Sequence, residues 1–497
     1  MSNCLHLSLL LVVAAGLTIL FIPAVRRLAV RWGCVSQPSV ERWHRRPTPS
    51  LGGVAFFISF LLSVLFFSSD LRAVAPLLSV AAVTFLLGLY DDRRRISPAT
   101  KLAGQIVAAA LALWCGYSLH FFSWRLCDAI LTGGWIVGLT NAVNLLDNMD
   151  GLAGGIGLIA ALYLAFLFQQ NGDPQHTLVA LSLSGAVAGF LLFNFYPASI
   201  FMGDGGSLFL GSTLSLLAIH AHGQASNVLS LVAIPTLILL VPILDTMLVS
   251  ITRLQRGQAV SQGGKDHSSH RLVVLGLSER RAVLLLYGMA TLSGATAILI
   301  ERMSYTLSLT LAPVVVLALT LFTAYLAQIE HSADASGGKT VPAATLPVRL
   351  IAFTYRRRVL AVVLDGLLIA FCYYLAVVLG CDFHFARVSR ELYLSSLPVI
   401  MLGTYSAFSL HGVCHGVWRY TGLDDLARWT KGVGSGTVFS GIAFLLIYHR
   451  ADHAHVVFLL YPLLLFVALA ASRCSFRLFD LFIHQLQPER TLEFADE

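Results

Sequence analysis

Asn144, Asp147 and Asp150 recur at every third residue of NLLDNMDG, residues 144–151. On a helix these three, with Asn141 and Asn148, project over about half the circumference. Val143, Leu145, Leu146, Met149 and Leu152 fall on the other side. The stretch interrupts sequence apolar enough to sit in a membrane, where a buried charge costs about 2.5–3.5 kcal/mol and marks a site or a wet cavity. A helix ending in water, with Asp150-Gly151 as its turn, is the plainer reading. Two amides and two carboxylates sharing a face make it the weaker one.

Three other loops carry comparable groups. Asp91 and Asp92 are adjacent in GLYDDRRRISPATKLAGQ, where mutual repulsion calls for a cation or a proton. A hard ion such as Mg²⁺ meets that need; a solvated cap offset by Arg93, Arg94 and Arg95 is the even alternative. Asp204 stands between Gly203 and Gly205-Gly206 at the start of an apolar helix. Glycines admit a ligand close to the backbone and a helix N-terminus favours anions, though an N-cap with turn glycines would look the same. His267 and His270 lie three apart in KDHSSHR, beside Lys265 and Arg271. Two histidines without further ligands make a poor zinc site and suit a phosphate better. Asp245 adds one more acid inside an apolar run.

The elements that must hold these groups are membrane helices. The 497 residues are 57% apolar and 12% charged, about half the charge of a soluble protein. Apolar runs recur throughout and give about fifteen candidate spans, one of them centred on Leu239. The fold class expected is all-α, a polytopic helical membrane protein. No Lys or Arg precedes the first span, and Arg26, Arg27 and Arg31 follow it, so an uncleaved helix with its N-terminus outside is expected. With that orientation only Arg72, Arg125, Arg302, Arg387, Arg390 and Arg450, of 33 Lys and Arg, fall outside the cytoplasmic loops. The net charge of +7 then belongs against anionic lipid rather than nucleic acid. Eight scattered cysteines give no disulfide framework and no zinc site. A polar, small-residue linker at 331–347 separates a first region, 1–330, with about eleven spans, from 348–497 with about four.

Acids, amides, glycines and bases therefore gather on one side of one helical block. That suits a substrate with a foot in each phase: a lipid phosphate together with a soluble diphosphate held by Mg²⁺. The motifs RRPTPSLGG, GLYDD with downstream KLAGQ, NAVNLLDNMDGLAGG, NFYPASIFMGDGGSLFLG, VPILDT and DHSSHRLVVLGLS occur in this order. In them the first 330 residues resemble the polyprenyl-phosphate N-acetylhexosamine-1-phosphate transferases. The resemblance implies transfer of a sugar 1-phosphate from a UDP-N-acetylhexosamine to undecaprenyl phosphate, with release of UMP, to initiate a cell-envelope polysaccharide. It implies a bacterial inner-membrane enzyme with a cytoplasmic active site and C-terminus, using Mg²⁺, with Mn²⁺ as a substitute.

By the same resemblance Asp91, Asp92, Asp147, Asp204, His267 and His270 are catalytic. Lys101, Asn144, Asp150, Asn194 and Arg271 bind substrate, and Asp204, Asp91 and Asp147 hold the metal. Two letters depart from the family pattern: Asn148 stands where glycine is usual and Ser269 where histidine is usual, and both bear on sugar or diphosphate preference. Direct attack by the lipid phosphate and a phospho-aspartate route both stay open. Residues 348–497 are similar to the membrane segment of polysaccharide-synthesis epimerase/dehydratase proteins, through RRRVLAVVLDGLLIAFCYYLAVVL and GVWRYTGLDDLARWTKG, without their nucleotide-binding domain. This implies a docking module for envelope-polysaccharide enzymes. The rival classes are a transporter, whether a flippase for lipid-linked sugars or a divalent-cation transporter, and an inactive scaffold. A transporter would carry midplane polar groups in two related halves, whereas here the polar groups cluster on one side.

Overall fold

The computed structural model describes residues 2–37, 47–121, 124–223, 228–255, 258, 264, 266–302, 305–327, 364–380, 387–413, 423–448 and 454–486. The chain divides into two compact units, Met1–Ile329 and Glu330–Glu497. The linker expected at 331–347 lies outside the described residues.

In the first unit the helices are α1 Ser2–Arg31, α2 Gly52–Phe67, α3 Leu71–Arg94, α4 Pro98–Trp114, α5 Arg125–Leu146, α6 Leu152–Gln170 and α7 Pro174–Asn194. They continue as α8 Gly203–Gly223, α9 Val228–Ile238, α10 Leu240–Gln255, α11 Ser268–Val274, α12 Glu279–Arg302 and α13 Tyr305–Ala327. Helices α1, α3, α5, α6, α7 and α12 are long and apolar enough to cross a membrane, so the all-α membrane fold read from the sequence is what the chain adopts. Start signals are local. Asp70 accepts the Arg72 amide at the head of α3, and Ser97 accepts the Thr100 amide of α4, with Pro98 at the first helical position.

The expected span centred on Leu239 is two helices, α9 and α10, meeting at that residue. Pro242 lacks the N–H that would bond the carbonyl of Ile238, which is enough to interrupt a continuous helix.

Helix α8 is the axis of the unit. Every residue from Gly205 to Ile219 is buried, as expected of a helix apolar on all sides, and α2, α3, α5, α6 and α9 pack around it. Its head is reached through small residues, which let membrane helices approach closely. A Cβ on Gly53 would lie 2.4 Å from the Gly206 backbone, and one on Gly88 only 2.2 Å from the Asp204 carbonyl oxygen. The segment before α8 is woven into the segment before α2. The ribbon β1 Val35–Ser36 and β2 Thr48–Pro49 hands the Pro49 carbonyl to the Phe201 amide, and Gly52 and Gly53 donate to Phe201 and Met202.

The second unit contains α14 Leu364–Gly380, α15 Arg387–Leu410, α16 Leu423–Tyr448 and α17 Ala454–Leu486. Both α16 and α17 contain windows apolar enough to cross a membrane. Its interior is tied by polar pairs. Arg473 of α17 donates to both oxygens of buried Asp365 in α14 at 2.8 and 2.7 Å. Thr404 of α15 meets Tyr461 of α17 at 2.8 Å.

The α3–α8 approach generates a test. Gly88→Ala should destabilise the protein by about 1–3 kcal/mol through overpacking. Gly134→Ala, where an added Cβ meets nothing within 4 Å, should not. Thermal unfolding in detergent micelles compares the two, and equal midpoints would refute the close crossing.

Candidate active site

Four helix ends converge on one ammonium group. Lys101, one turn into α4, places its Nζ 2.7 Å from Asp204 Oδ1, 3.1 Å from Asp91 Oδ2 and 3.2 Å from Asn144 Oδ1. Asn144 completes the ring by donating through Nδ2 to Asp204 Oδ1 at 2.6 Å and to Ser207 at 2.7 Å. The end of α3, the start of α4, the end of α5 and the start of α8 each supply a member. Asp91 is otherwise fixed by the Ile96 amide. Asp92 turns the other way, accepting the Asp204 and Gly205 amides at 2.8 and 2.9 Å. It thereby caps the N-terminus of α8 with two acceptor oxygens, which the exposed amides of a helix start require. Gly203 is required where it sits. Its φ is +73°, and a Cβ would strike the Ser50 carbonyl and the Asp92 carboxylate.

A second layer forms the rim. Asp147 is the C-cap of α5, one turn beyond Asn144 and half-buried. Asp150 accepts the Ala198 amide at 2.8 Å. Gly151 starts α6 with a φ of +77°, its carbonyl accepts the Tyr287 hydroxyl of α12 and its amide donates to Asn194 Oδ1.

The histidine loop closes over this rim. His267 Nδ1 lies 2.8 Å from Asp245 Oδ2, and the Ser268 amide donates to the other oxygen at 2.7 Å, so a buried carboxylate orients the ring. Ser269 donates to Asn148 Oδ1 at 2.8 Å, while Asn148 Nδ2 bonds the Leu145 carbonyl. The two residues that depart from the pattern are thus bonded to each other. His270 is buried, its ring centroid 5.8 Å from that of His267. Lys265 lies outside the described residues. At the base of the loop Arg253 holds Asp266 through two bonds of 2.8 Å. Burial alone raises the Asp266 carboxyl, but this guanidinium outweighs it and holds the group below the usual carboxylate range.

Thus all four motifs meet in one connected site. Two of the expected substrate-binding residues have other tasks in it. Asn194 is 2% exposed, and its amide joins the Gly151 and Ile200 backbones, locking the 195–202 turn to the rim. Arg271 is 1% exposed and donates to the carbonyls of Asp266 and Leu326, binding the loop to α13. Both are buried because an interior loop must have its backbone groups paired. Three contributors were not among the expected site residues: Asp245, Ser207 and the Gln105–Asn141 amide pair. Asp245 left a signal as a lone acid in an apolar helix; Ser207 left none.

The donor chemistry fits a hard divalent cation. Oxygens of Asp91, Asp204 and Asn144 surround a single positive charge, here that of Lys101, and oxygen donors are what Mg²⁺ takes. The Asp204 side chain is 34% exposed against 10% for Asp91, so Asp204 is the more accessible of the two.

Residues 74–222 match the family described as glycosyl transferase family 4. The chain is 36% identical over 306 residues to the probable undecaprenyl-phosphate N-acetylglucosaminyl 1-phosphate transferase of Bacillus subtilis, covering 59% of this chain and 85% of the relative. It is 33% identical over 358 residues to the decaprenyl-phosphate N-acetylglucosaminephosphotransferase of Mycolicibacterium smegmatis, covering 64% and 88%. It is 34% identical over 235 residues to a phospho-N-acetylmuramoyl-pentapeptide-transferase of Lactobacillus johnsonii, covering 42% and 73%.

Asp92→Ala removes the cap from the head of α8. The expected cost is about 0.5–2 kcal/mol, read as a lower unfolding midpoint in detergent. An unchanged midpoint would show that the Asp204 and Gly205 amides do not depend on this carboxylate.

Proposed function

The chain belongs to glycosyl transferase family 4, and from that membership we propose that it transfers N-acetylhexosamine 1-phosphate from a UDP-sugar to a polyprenyl phosphate in cell-envelope synthesis. The observation that carries the reading is the Asp91–Lys101–Asn144–Asp204 ring at the convergence of four helix ends. The relatives named for N-acetylglucosamine make UDP-N-acetylglucosamine the first donor to try. The protein is a multi-pass membrane protein. The Lys and Arg bias supports a bacterial plasma-membrane location with the site on the cytoplasmic side, and undecaprenyl phosphate then reaches it from the bilayer. The second unit, on this reading, docks other envelope-polysaccharide enzymes.

The reaction is phosphoryl transfer, which needs positioning and charge neutralisation more than covalent help. An oxygen of the lipid phosphate attacks the β-phosphorus, the one bonded to the sugar. The bond from that phosphorus to the bridging oxygen breaks, and UMP leaves with the electron pair. Lys101, His267 and His270 balance charge on the phosphates. Asn144 and Asp150 shape the nucleotide-sugar pocket. Asp92 keeps the amides at the head of α8 in place, and Asp91 orients the acceptor phosphate. Asp204, with Asp91 and Asp147, would hold Mg²⁺, which supplies neutralisation of the diphosphate when bound. At these three acids direct transfer is favoured over a phospho-aspartate, because Asp91 and Asp204 share an ammonium and Asp92 is taken by two amides. Each of these contacts lowers carboxylate nucleophilicity.

Purified protein given UDP-N-acetylglucosamine, undecaprenyl phosphate and Mg²⁺ should release UMP, and a chelator should stop it. Asp204→Asn should lower turnover by about 100-fold or more. A panel of UDP-sugars then ranks the donors. No UMP from any UDP-N-acetylhexosamine, with Asp204→Asn indistinguishable from the parent, would overturn the assignment.

A further inference from the structure

At the far end of α8 from Asp204 lies a cluster that the transfer reaction does not use. His220 is 16 residues further along the helix, roughly 24 Å away. Its Nε2 is 2.7 Å from Asp173 Oδ2, and His176 Nδ1 is 2.9 Å from the same oxygen. The two imidazoles are stacked, with ring centroids 3.4 Å apart and planes 16° from parallel. The three ligand atoms all lie within 4.8 Å of one another.

We propose that Asp173, His176 and His220 bind a divalent cation of the zinc class. To bond Asp173 Oδ2, each imidazole nitrogen must present a proton, so two N–H groups converge on one oxygen from stacked rings. A divalent cation replaces both protons, taking two nitrogen lone pairs and the carboxylate together. Two imidazoles and one carboxylate form the three-ligand set of open zinc sites, with a fourth position left for water. Imidazole donors disfavour Mg²⁺ and Ca²⁺, which take oxygen. Ligands about 2.0–2.2 Å from a tetrahedral zinc stand about 3.3 Å apart, so the nitrogens must withdraw from the oxygen by about half an ångström and the near-parallel rings must tilt to aim both in-plane lone pairs at the ion.

The cluster is held from three elements. Asp173 is the N-cap of α7, its Oδ1 accepting the His176 amide at 3.0 Å. Thr177 donates to the Asp173 carbonyl. Phe168, near the end of α6, packs 5.6 Å from both imidazoles. His176 is 8% exposed and His220 30%, so one ligand is anchored and another borders an access route. The site would brace the α6–α7 turn against the end of α8.

The test uses the full chain in detergent micelles, stripped with chelator, exposed to Zn²⁺ and desalted. One zinc per chain should remain by elemental analysis, and Co²⁺ in its place should give the visible bands of tetrahedral coordination. Zinc should raise the unfolding midpoint of the parent but not of His220→Ala. Losing this ligand should weaken zinc binding by at least the 10–100-fold that loss of an outer-shell partner typically costs. His267→Ala should keep the metal, which separates this cluster from the histidine loop. A parent chain that retains no zinc, or a His220→Ala chain that retains as much as the parent, would overturn the proposal. In that case the cluster is only a cap that clamps the turn.

Discussion

The site depends on one shared positive charge. Two carboxylates, Asp91 and Asp204, belong to helices α3 and α8, which cross with the Gly88 backbone against that of Asp204. Facing each other at membrane level, they would repel. The Lys101 ammonium removes that repulsion and adds a hydrogen bond to Asn144, so α4 and α5 are drawn to the same point. On the proposed function, the arrangement also places a positive charge where a phosphate-bearing substrate would come. The cation that joins these helix ends would then be the one to meet the anion that the chemistry brings.

Around that centre the loops are held mainly by side chains bonding backbone. Asp92 takes the amides of Asp204 and Gly205, Asn194 joins the Gly151 and Ile200 backbones, and Asp150 holds the Ala198 amide. In an apolar interior a free peptide group is costly, and these polar residues satisfy the turns between membrane helices. One set of letters therefore does two jobs. Some face ligand, and their neighbours in the same motif keep the backbone from collapsing away from it.

That division explains what could be read from the letters. The apolar runs gave the helices, because a membrane span has a length set by the bilayer. They failed at Leu239, where a proline interrupts a run without changing its hydropathy. The motifs named residues that the fold brings together at four helix ends, since acids and amides at helix ends have few other reasons to be there. They did not separate ligand contact from backbone support, because Asn144 and Asn194 are the same residue type in similar surroundings and differ only in what stands opposite. Asp173, His176 and His220 left no local pattern. His220 is 47 residues from the carboxylate it meets, and only the packing of α6 against both α7 and α8 brings them together.

The Ser269–Asn148 bond has a consequence for inheritance and redesign. Asn148 lies at the rim that follows α5 and Ser269 on the histidine loop, yet each answers the other's hydrogen-bonding need. Replacing either side chain alone leaves a polar atom behind in a half-buried place, a penalty that replacing both together avoids. The two positions are therefore coupled, a change at one altering the cost of a change at the other. A histidine loop grafted onto another framework brings an unanswered hydroxyl unless its partner letter travels with it.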